Sequence, residues 1–186
     1  MRIKDQKDSL AWSEFVDIYG PLIYRFGRRK GLQDADATDF TQDVFSEISQ
    51  QIAKFTYNPE LGKFRNWLFV VSSRVLGHRL RKTSKQAQGS GESRVANMLG
   101  QIPSPGEDDD VWEKEYRQHL FSWACERVRH QFKESTWKAF IATAVNGQSA
   151  ATVANTLDLS VGAVYIAKTR VTQKLKDIIS SVDDSL

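Results

Sequence analysis

The stretch GQSAATVANTLDLSVGAVYIAKTRV, residues 147–171, decides the fold of the C-terminal part of the chain. Ser149 is suited to cap a short helix over residues 150–157, because its hydroxyl can accept a backbone N–H of the first turn. Ser160 is suited in the same way to begin a second helix. Asp158, in the turn between them, stands where Gly is usual, and Asp tolerates left-handed backbone better than most residues. The stretch therefore predicts a helix-turn-helix.

The apolar residues of the stretch favour the same arrangement. Ala154 is small enough for the point where the two helices cross, and Leu159 supplies an apolar residue in the turn. The second helix presents a core-facing set at helical spacing, namely Val164, Ala167, Val171, Leu175 and Ile178. A helical hairpin with no DNA role is the alternative interpretation.

In a helix-turn-helix the exposed beginning of the second helix enters the major groove of DNA. We therefore expect a DNA-contacting surface made of Ser160, Val161, Ala163, Tyr165, Ile166, Lys168, Thr169, Arg170 and Lys174. Its cations would hold phosphates, whereas Tyr165, Ile166 and Ala163 would meet base edges and thymine methyl groups.

An acidic stripe marks a helix in the N-terminal half. Between residues 36 and 55 apolar residues recur at three- and four-residue steps: Ala37, Phe40, Val44, Ile48, Ile52 and Phe55. Asp36, Asp39, Asp43 and Glu47 fall together on an adjacent stripe. Aspartates in the first turn complement the helix dipole, but Asp43 and Glu47 lie too deep in the helix for that. The stripe therefore indicates a basic docking partner, although a solvated surface patch is the alternative.

Residues 61–91 contain no acidic residue but several cations, namely Lys63, Arg65, Arg74, Arg79, Arg81, Lys82 and Lys85. A helix over residues 64–82 is predicted here, with Phe64 and Trp67 on one face. Cations interleaved with aromatics suit a single-stranded nucleic acid, because the phosphates take the charge and unstacked bases take the rings. Taken alone, Phe64 and Trp67 fit a buried helical face better.

Helical periodicity dominates the rest of the chain, without convincing strand alternation. Helices are predicted over residues 9–19 and 21–31, with Pro21 in the first turn of the second. The spacing of four apolar residues predicts a helix that extends to about Gln131; they are Trp112, Tyr116, Leu120 and Trp123. A further helix is predicted with Ser135 as its N-cap and Gly147 as its end, and its apolar residues are Trp137, Phe140, Ile141, Ala144 and Val145.

A small, polar stretch with two prolines interrupts the helices over residues 84–110 and predicts a flexible linker, with a short helix around 95–99. A loop is predicted over residues 57–62. The fold class is therefore all-α, with two small helical domains, residues 1–83 and 111–186, joined by the linker at 84–110. The helix-turn-helix lies in the second domain.

Several function classes find no support in the sequence. No apolar run approaches the length of a membrane span, and the N-terminus lacks the apolar stretch of a signal peptide, so we expect no membrane association and a cytoplasmic protein. Cys125 is the only cysteine, and the three histidines lack zinc-ligand spacing. There is no phosphate-binding loop and no nucleophile elbow. We expect no catalytic residue, no metal and no cofactor.

The quoted stretch resembles the promoter-recognition domain of extracytoplasmic-function sigma factors, in the bacterial sigma-70 family. DATDFTQDVF, residues 36–45, resembles the polymerase-docking helix of that family, and FRNWLF, residues 64–69, resembles the start of its promoter-melting segment. The order and spacing of these motifs also match, so the resemblance covers essentially the whole chain.

The resemblance implies a role for each part. Asp39, Gln42, Asp43 and Phe45 would dock on the clamp helices of the β′ subunit of core RNA polymerase. The -10 promoter element would be melted and held by Phe64, Arg65, Trp67, Arg74, His78, Arg79, Arg81 and Lys82. The helix-turn-helix would read the -35 element while its domain rests on the β flap, and the linker would run toward the RNA exit path. An anti-sigma factor is a further partner that the family allows.

The chain departs from the family pattern at two places. Arg74 and His78 stand where the family commonly has Asn and Asp in the -10 segment. Ala163, Tyr165 and Ala167 stand where it usually has Thr, Lys and Arg. These departures leave the core unchanged but predict a promoter sequence of this chain's own.

Two other functions stay open on the sequence alone. A helix-turn-helix repressor or activator would bind DNA without polymerase, but it would leave the acidic stripe and the basic segment without a role. A nucleic-acid-processing enzyme would need clustered carboxylates or a metal site, whereas the acidic residues lie along one helix or in the linker.

Overall fold

The computed structural model describes residues 2–5, 7–55, 64–86 and 107–185. Within these ranges the chain forms helices and no strand, which confirms the all-α prediction. The α-helices are α1 (Ser9–Arg29), α2 (Asp34–Gln51), α3 (Phe64–Gln86), α4 (Glu107–Arg129), α5 (Glu134–Phe140), α6 (Ala150–Leu157) and α7 (Val161–Ser185). Short 3₁₀ turns lie at Arg2–Lys4 and Ile52–Lys54, and a π-helical turn spans Ile141–Val145.

The chain divides into two compact units, Met1–His119 and Leu120–Ser185, and the division falls inside α4. The sequence placed the boundary in a linker at residues 84–110. Residues 84–86 instead continue α3, and residues 107–110 begin α4. The rest of that linker, including the short helix expected at 95–99, lies outside the described residues, as does the loop expected at 57–62.

The first unit is built on α1, α2 and α3. The apolar stripe predicted for α2 is fully buried from Ala37 to Ile52. Gly27 of α1 lets α2 come close, because a Cβ at that position would lie 2.8 Å from the Phe40 ring. The stripe is therefore the face on which the helices of this unit pack.

One helix replaces the two that were predicted over residues 9–31. α1 runs through Pro21, and buried residues on both sides of it, including Ile18 and Leu22, hold the two halves in a common core. Because Pro21 has no N–H, it cannot donate to the carbonyl of Asp17 four residues earlier. The ring Nε2 of His119 lies 3.1 Å from that carbonyl oxygen and donates to it instead. The helix break expected here was wrong, because packing outweighs the local signal.

The first half of α4 belongs to the first unit. The Trp112 side chain is 2% exposed, and its ring centroid lies 5.6 Å from that of Phe26 and 5.5 Å from that of Phe69. Tyr116 stacks on Tyr19 with ring centroids 5.6 Å apart. The sequence assigned residues 111–119 to the C-terminal domain, whereas these contacts place them with α1 and α3.

The second unit has a core made by α5, α6 and α7, with Ala139, Val153, Ala154, Val164 and Ala167 at its centre. The N-cap of α5 is Lys133 and has no side-chain cap bond, so the expected cap at Ser135 was wrong. After α5 the π-helical turn adds a residue to the helical period, with Asn146 N–H donating to the Ile141 carbonyl at 2.9 Å. Val145, expected in the core, is therefore 50% exposed. Gly147, with φ of 69°, ends this segment as predicted.

No single helix among the described residues is long and apolar enough to cross a membrane. One bent pair, residues 150–157 with 161–182, has that length and composition only when both helices are taken together.

Candidate nucleic-acid interface

Residues 147–171, for which the sequence predicts a helix-turn-helix, contain α6 and the beginning of α7 with a short turn between them. The Ser149 hydroxyl accepts the Thr152 N–H at 3.1 Å, and the Ser160 hydroxyl accepts the Ala163 N–H at 3.1 Å. These two bonds cap α6 and α7 at the positions expected from the sequence.

The turn between α6 and α7 also has the expected geometry. Asp158 adopts left-handed backbone with φ of 52° and ψ of 50°. The Leu159 N–H donates to the Ala154 carbonyl at 2.9 Å, and Ala154 itself is buried at the crossing. The two helices are bent by 105° relative to each other. This steep angle leaves the beginning of α7 exposed.

The exposed beginning of α7 is apolar. Val161, Tyr165 and Ile166 are 43%, 59% and 60% exposed. Residues 161–167 include no side chain that could make a paired hydrogen bond to a base edge, such as Arg, Asn or Gln. Contact with a groove would therefore be made by methyl groups and one phenol ring.

Cations follow this apolar surface along the same helix. Lys168 and Arg170 are exposed, Lys174 is half-buried, and no acidic residue precedes Asp177 in α7. Ser160 and Thr169 are exposed, while Ala163 is half-buried. An apolar tip followed by cations is complementary to a base edge flanked by phosphates.

In the first unit, the acidic stripe of α2 is paired with one cation of α3. Arg79 Nη1 lies 2.9 Å from Asp43 Oδ2, and Arg79 Nη2 lies 3.4 Å from Asp36 Oδ1 and 3.5 Å from Asp39 Oδ2. All three carboxylates are more than half exposed. The sequence assigned Asp39 and Asp43 to one site and Arg79 to another, and it missed this pairing because the register between two helices leaves no local signal.

The other residues of the proposed docking site differ in exposure. Gln42 is exposed beside Asp43. Phe45 is half-buried, with its ring centroid 5.7 Å from that of Phe15 and its edge 3.7 Å from the position of a Cβ on Gly20. Phe45 therefore contributes mainly to the α1–α2 packing and exposes only an edge.

Phe64 and Arg65, both predicted to contact DNA, are buried by contacts within the first unit. Phe64 lies in an aromatic cluster with Phe15, Tyr19 and Phe55. Arg65 is 9% exposed, forms an ion pair with Glu113 of α4 and lies over the Tyr116 ring at 4.9 Å. These contacts correct the sequence-based assignment of both side chains to a DNA surface.

The ion pair of Arg65 also affects the acid that it meets. Burial of Glu113 opposes ionisation, but hydrogen bonds from Arg117 and Arg65 outweigh it and hold the pKa of this carboxyl below its ordinary value. Trp67 is half-buried, with its ring centroid 4.6 Å from that of Phe55. The beginning of α3 is thus fixed to the core of the first unit by aromatic packing and by the ion pair between Arg65 and Glu113.

The remaining cations of α3 are accessible. Arg74, His78, Arg81 and Lys82 are exposed, and with Arg79 they line an open groove of about 730 Å³. Asp43, Ser46 and Glu47 of α2 form part of its wall. The groove can take a polyanion on its α3 side, and it adjoins the acidic stripe directly.

Among the described residues no group of three or more His, Cys, Asp or Glu side chains could hold a metal ion. Cys125 is half-buried, and burial together with Glu126 raises the pKa of its thiol. A raised pKa disfavours the thiolate, which is the reactive form of cysteine.

Comparison with protein families matches residues 15–86 to the model described as sigma-70 region 2. Comparison with curated proteins and comparison with solved structures gave no match. The matched range contains most of α1 and all of α2 and α3, and therefore both the acidic stripe and the basic groove. Region 2 serves in core RNA polymerase binding and promoter melting. Residues 15–86, less than half of the chain, are thus similar to sigma-70 region 2, which supports a transcription initiation factor of the sigma-70 family.

Proposed function

We propose that this chain is an extracytoplasmic-function sigma factor, a dissociable and non-enzymatic subunit that acts in the bacterial cytoplasm and directs core RNA polymerase to promoters with its own -10 and -35 elements. The observation that carries the proposal is the region 2 match over residues 15–86 in a chain whose second unit has two capped helices, α6 and α7, at a steep angle to each other. A repressor that acts without polymerase would have no use for the first of these.

Docking on polymerase is assigned to the exposed face of α2. Asp39, Gln42 and Asp43 project there, and the carboxylates are complementary to a basic helical partner such as the β′ clamp helices. Phe45 adds only the exposed edge of its ring.

The -10 strand is assigned to the groove on α3. Arg74, Arg81 and Lys82 supply charge for the phosphates of a single strand, and His78 lies between them. Trp67 is exposed enough to offer a ring edge at the start of the helix. Phe64 and Arg65 act indirectly, because they fix α3 against α1 and α4.

The -35 element is assigned to α7. Lys168, Arg170 and Lys174 hold phosphates, and Tyr165 and Ile166 meet the base edges. Since residues 161–167 lack paired hydrogen-bonding groups, we expect thymine methyl groups to contribute much of the discrimination. The residues that depart from the family pattern, Ala163, Tyr165 and Ala167, belong to this same stretch.

Reconstituted transcription with core polymerase tests the whole proposal. The double variant Asp39→Lys/Asp43→Lys should lose both polymerase capture and promoter-specific transcripts. The control is Glu14→Lys/Asp17→Lys on α1, which makes the same charge change on another helix and should retain both activities.

A second variant separates docking from promoter reading. Tyr165→Ala/Lys168→Ala should capture polymerase normally but lose preference for the -35 element. Undiminished capture by the α2 variant would refute the docking assignment. An unchanged promoter preference in the α7 variant would refute the reading assignment.

A further inference from the structure

Arg79 is shared by the two sites that the proposed function assigns to the first unit. Its guanidinium bridges three carboxylates of α2, at 2.9 Å from Asp43, 3.4 Å from Asp36 and 3.5 Å from Asp39. The same side chain lines the groove beside Arg74 and Lys82. The two sites compete for the donors of Arg79, because an N–H group that donates to a carboxylate is not available to a phosphate.

The charges of this cluster favour an exchange of partners. Three carboxylates around one guanidinium leave a net charge of −2, from three charges of −1 and one of +1. The stripe therefore still attracts a basic partner while Arg79 is held. Because the carboxylates are more than half exposed, each pairing is weak, and a strong ion pair with another protein can replace it.

We propose that Arg79 couples polymerase docking to DNA strand binding. In the free chain the carboxylates of α2 hold the guanidinium toward themselves. A basic surface that takes over Asp39 and Asp43 releases Arg79, which then binds a backbone phosphate in the groove. The proposal rests on the proposed function and names the residue through which its two sites communicate. By linkage, a bound strand strengthens docking by the same factor.

Strand binding by the full chain without polymerase tests this coupling. The probe is a short oligodeoxythymidine, whose phosphates are read independently of base sequence. The variant Asp36→Asn/Asp39→Asn/Asp43→Asn should bind it more tightly than the unmodified chain. We expect about a two- to fivefold gain attributable to Arg79, which corresponds to breaking exposed ion pairs.

Salt dependence distinguishes the release of one cation from a general loss of negative charge. One additional phosphate contact should steepen the plot of log affinity against log salt by about 0.7. In the Arg79→Ala background the same three Asn substitutions should leave this slope unchanged and give a smaller gain in affinity. A double-mutant cycle of the four proteins isolates the contribution of Arg79.

The matched control is Asp5→Asn/Glu14→Gln/Asp17→Asn, which removes three negative charges from other parts of the first unit. Its gain should be smaller and its slope unchanged. Equal gains with and without Arg79, or an equal gain in the control, would overturn the coupling while leaving the proposed function intact. Absence of strand binding by every variant, with and without core polymerase, would overturn the -10 assignment and the coupling together.

Discussion

Replacing Trp112 by Ala should destabilise the first unit and leave the second nearly unchanged. The indole is 2% exposed and packs against Phe26 and Phe69, with ring centroids 5.6 and 5.5 Å away. Truncating a buried aromatic to Ala costs about 3–5 kcal/mol. An opening free energy reduced by that amount speeds amide exchange about a hundredfold or more. Hydrogen exchange measured peptide by peptide should show this acceleration in α1 and α3.

A second substitution at Trp112 separates packing from hydrogen bonding. The buried indole Nε1 has no hydrogen-bond partner within the described part of the chain. Trp112→Phe keeps most of the ring contact and removes that unpaired donor, whose burial is unfavourable. We therefore expect Trp112→Phe to exchange much more slowly than Trp112→Ala.

Trp123 provides the matched control, since it lies on the same helix, is 7% exposed and belongs to the second unit. Trp123→Ala should accelerate exchange in α5, α6 and α7. The boundary at residue 119 would be refuted if Trp112→Ala accelerated exchange in α6 and α7 while α1 and α3 stayed protected. That is the pattern expected if residues 111–119 belonged to the C-terminal domain.

Three further predictions concern the caps, an acid and the DNA. Ser149→Ala and Ser160→Ala should each lower the free energy of unfolding of the second unit by about 1 kcal/mol, measured by chemical denaturation. Because the folded pKa of Glu113 is depressed, its contribution to stability is present above its ordinary pKa of 4.5 and is lost as the pH falls through the folded value. Glu113→Gln should therefore make the melting temperature of the first unit vary less with pH across that range. Replacing thymine by deoxyuridine in the -35 element should weaken binding about fourfold for each methyl group that Tyr165 or Ile166 buries, measured by fluorescence anisotropy.

The helix-turn-helix could be predicted almost completely because each of its signals is local. Ser149 and Ser160 bond to N–H groups three residues away, and Asp158 needs only its own backbone conformation. The apolar stripe of α2 was predictable for a similar reason, since helical period alone puts its residues on one face. Interactions that close within one or two turns leave a pattern in the sequence.

The features that sequence reasoning missed depend on packing between helices. The spacing of Trp112, Tyr116, Leu120 and Trp123 is regular along α4, so the pattern contains no mark where the helix passes from one unit to the other. Similarly, Arg65 belongs to a run of cations, and only the approach of α4 buries it against Glu113. Charge in a sequence shows what a residue can bind, but not whether another part of the chain already binds it.

The hydrogen bond that Pro21 cannot make within α1 is replaced by one from His119 of α4. Proline in the middle of α1 leaves the Asp17 carbonyl without the N–H donor that a regular helix provides. A proline inside a helix therefore tends to kink the helix or to end it. The His119 ring donates to that carbonyl from the end of the α4 segment that packs in the first unit. The carbonyl that Pro21 leaves without a helical donor is therefore the acceptor for His119 of α4. This explains why a helix-breaking signal in the sequence coincides with a tertiary contact 102 residues away.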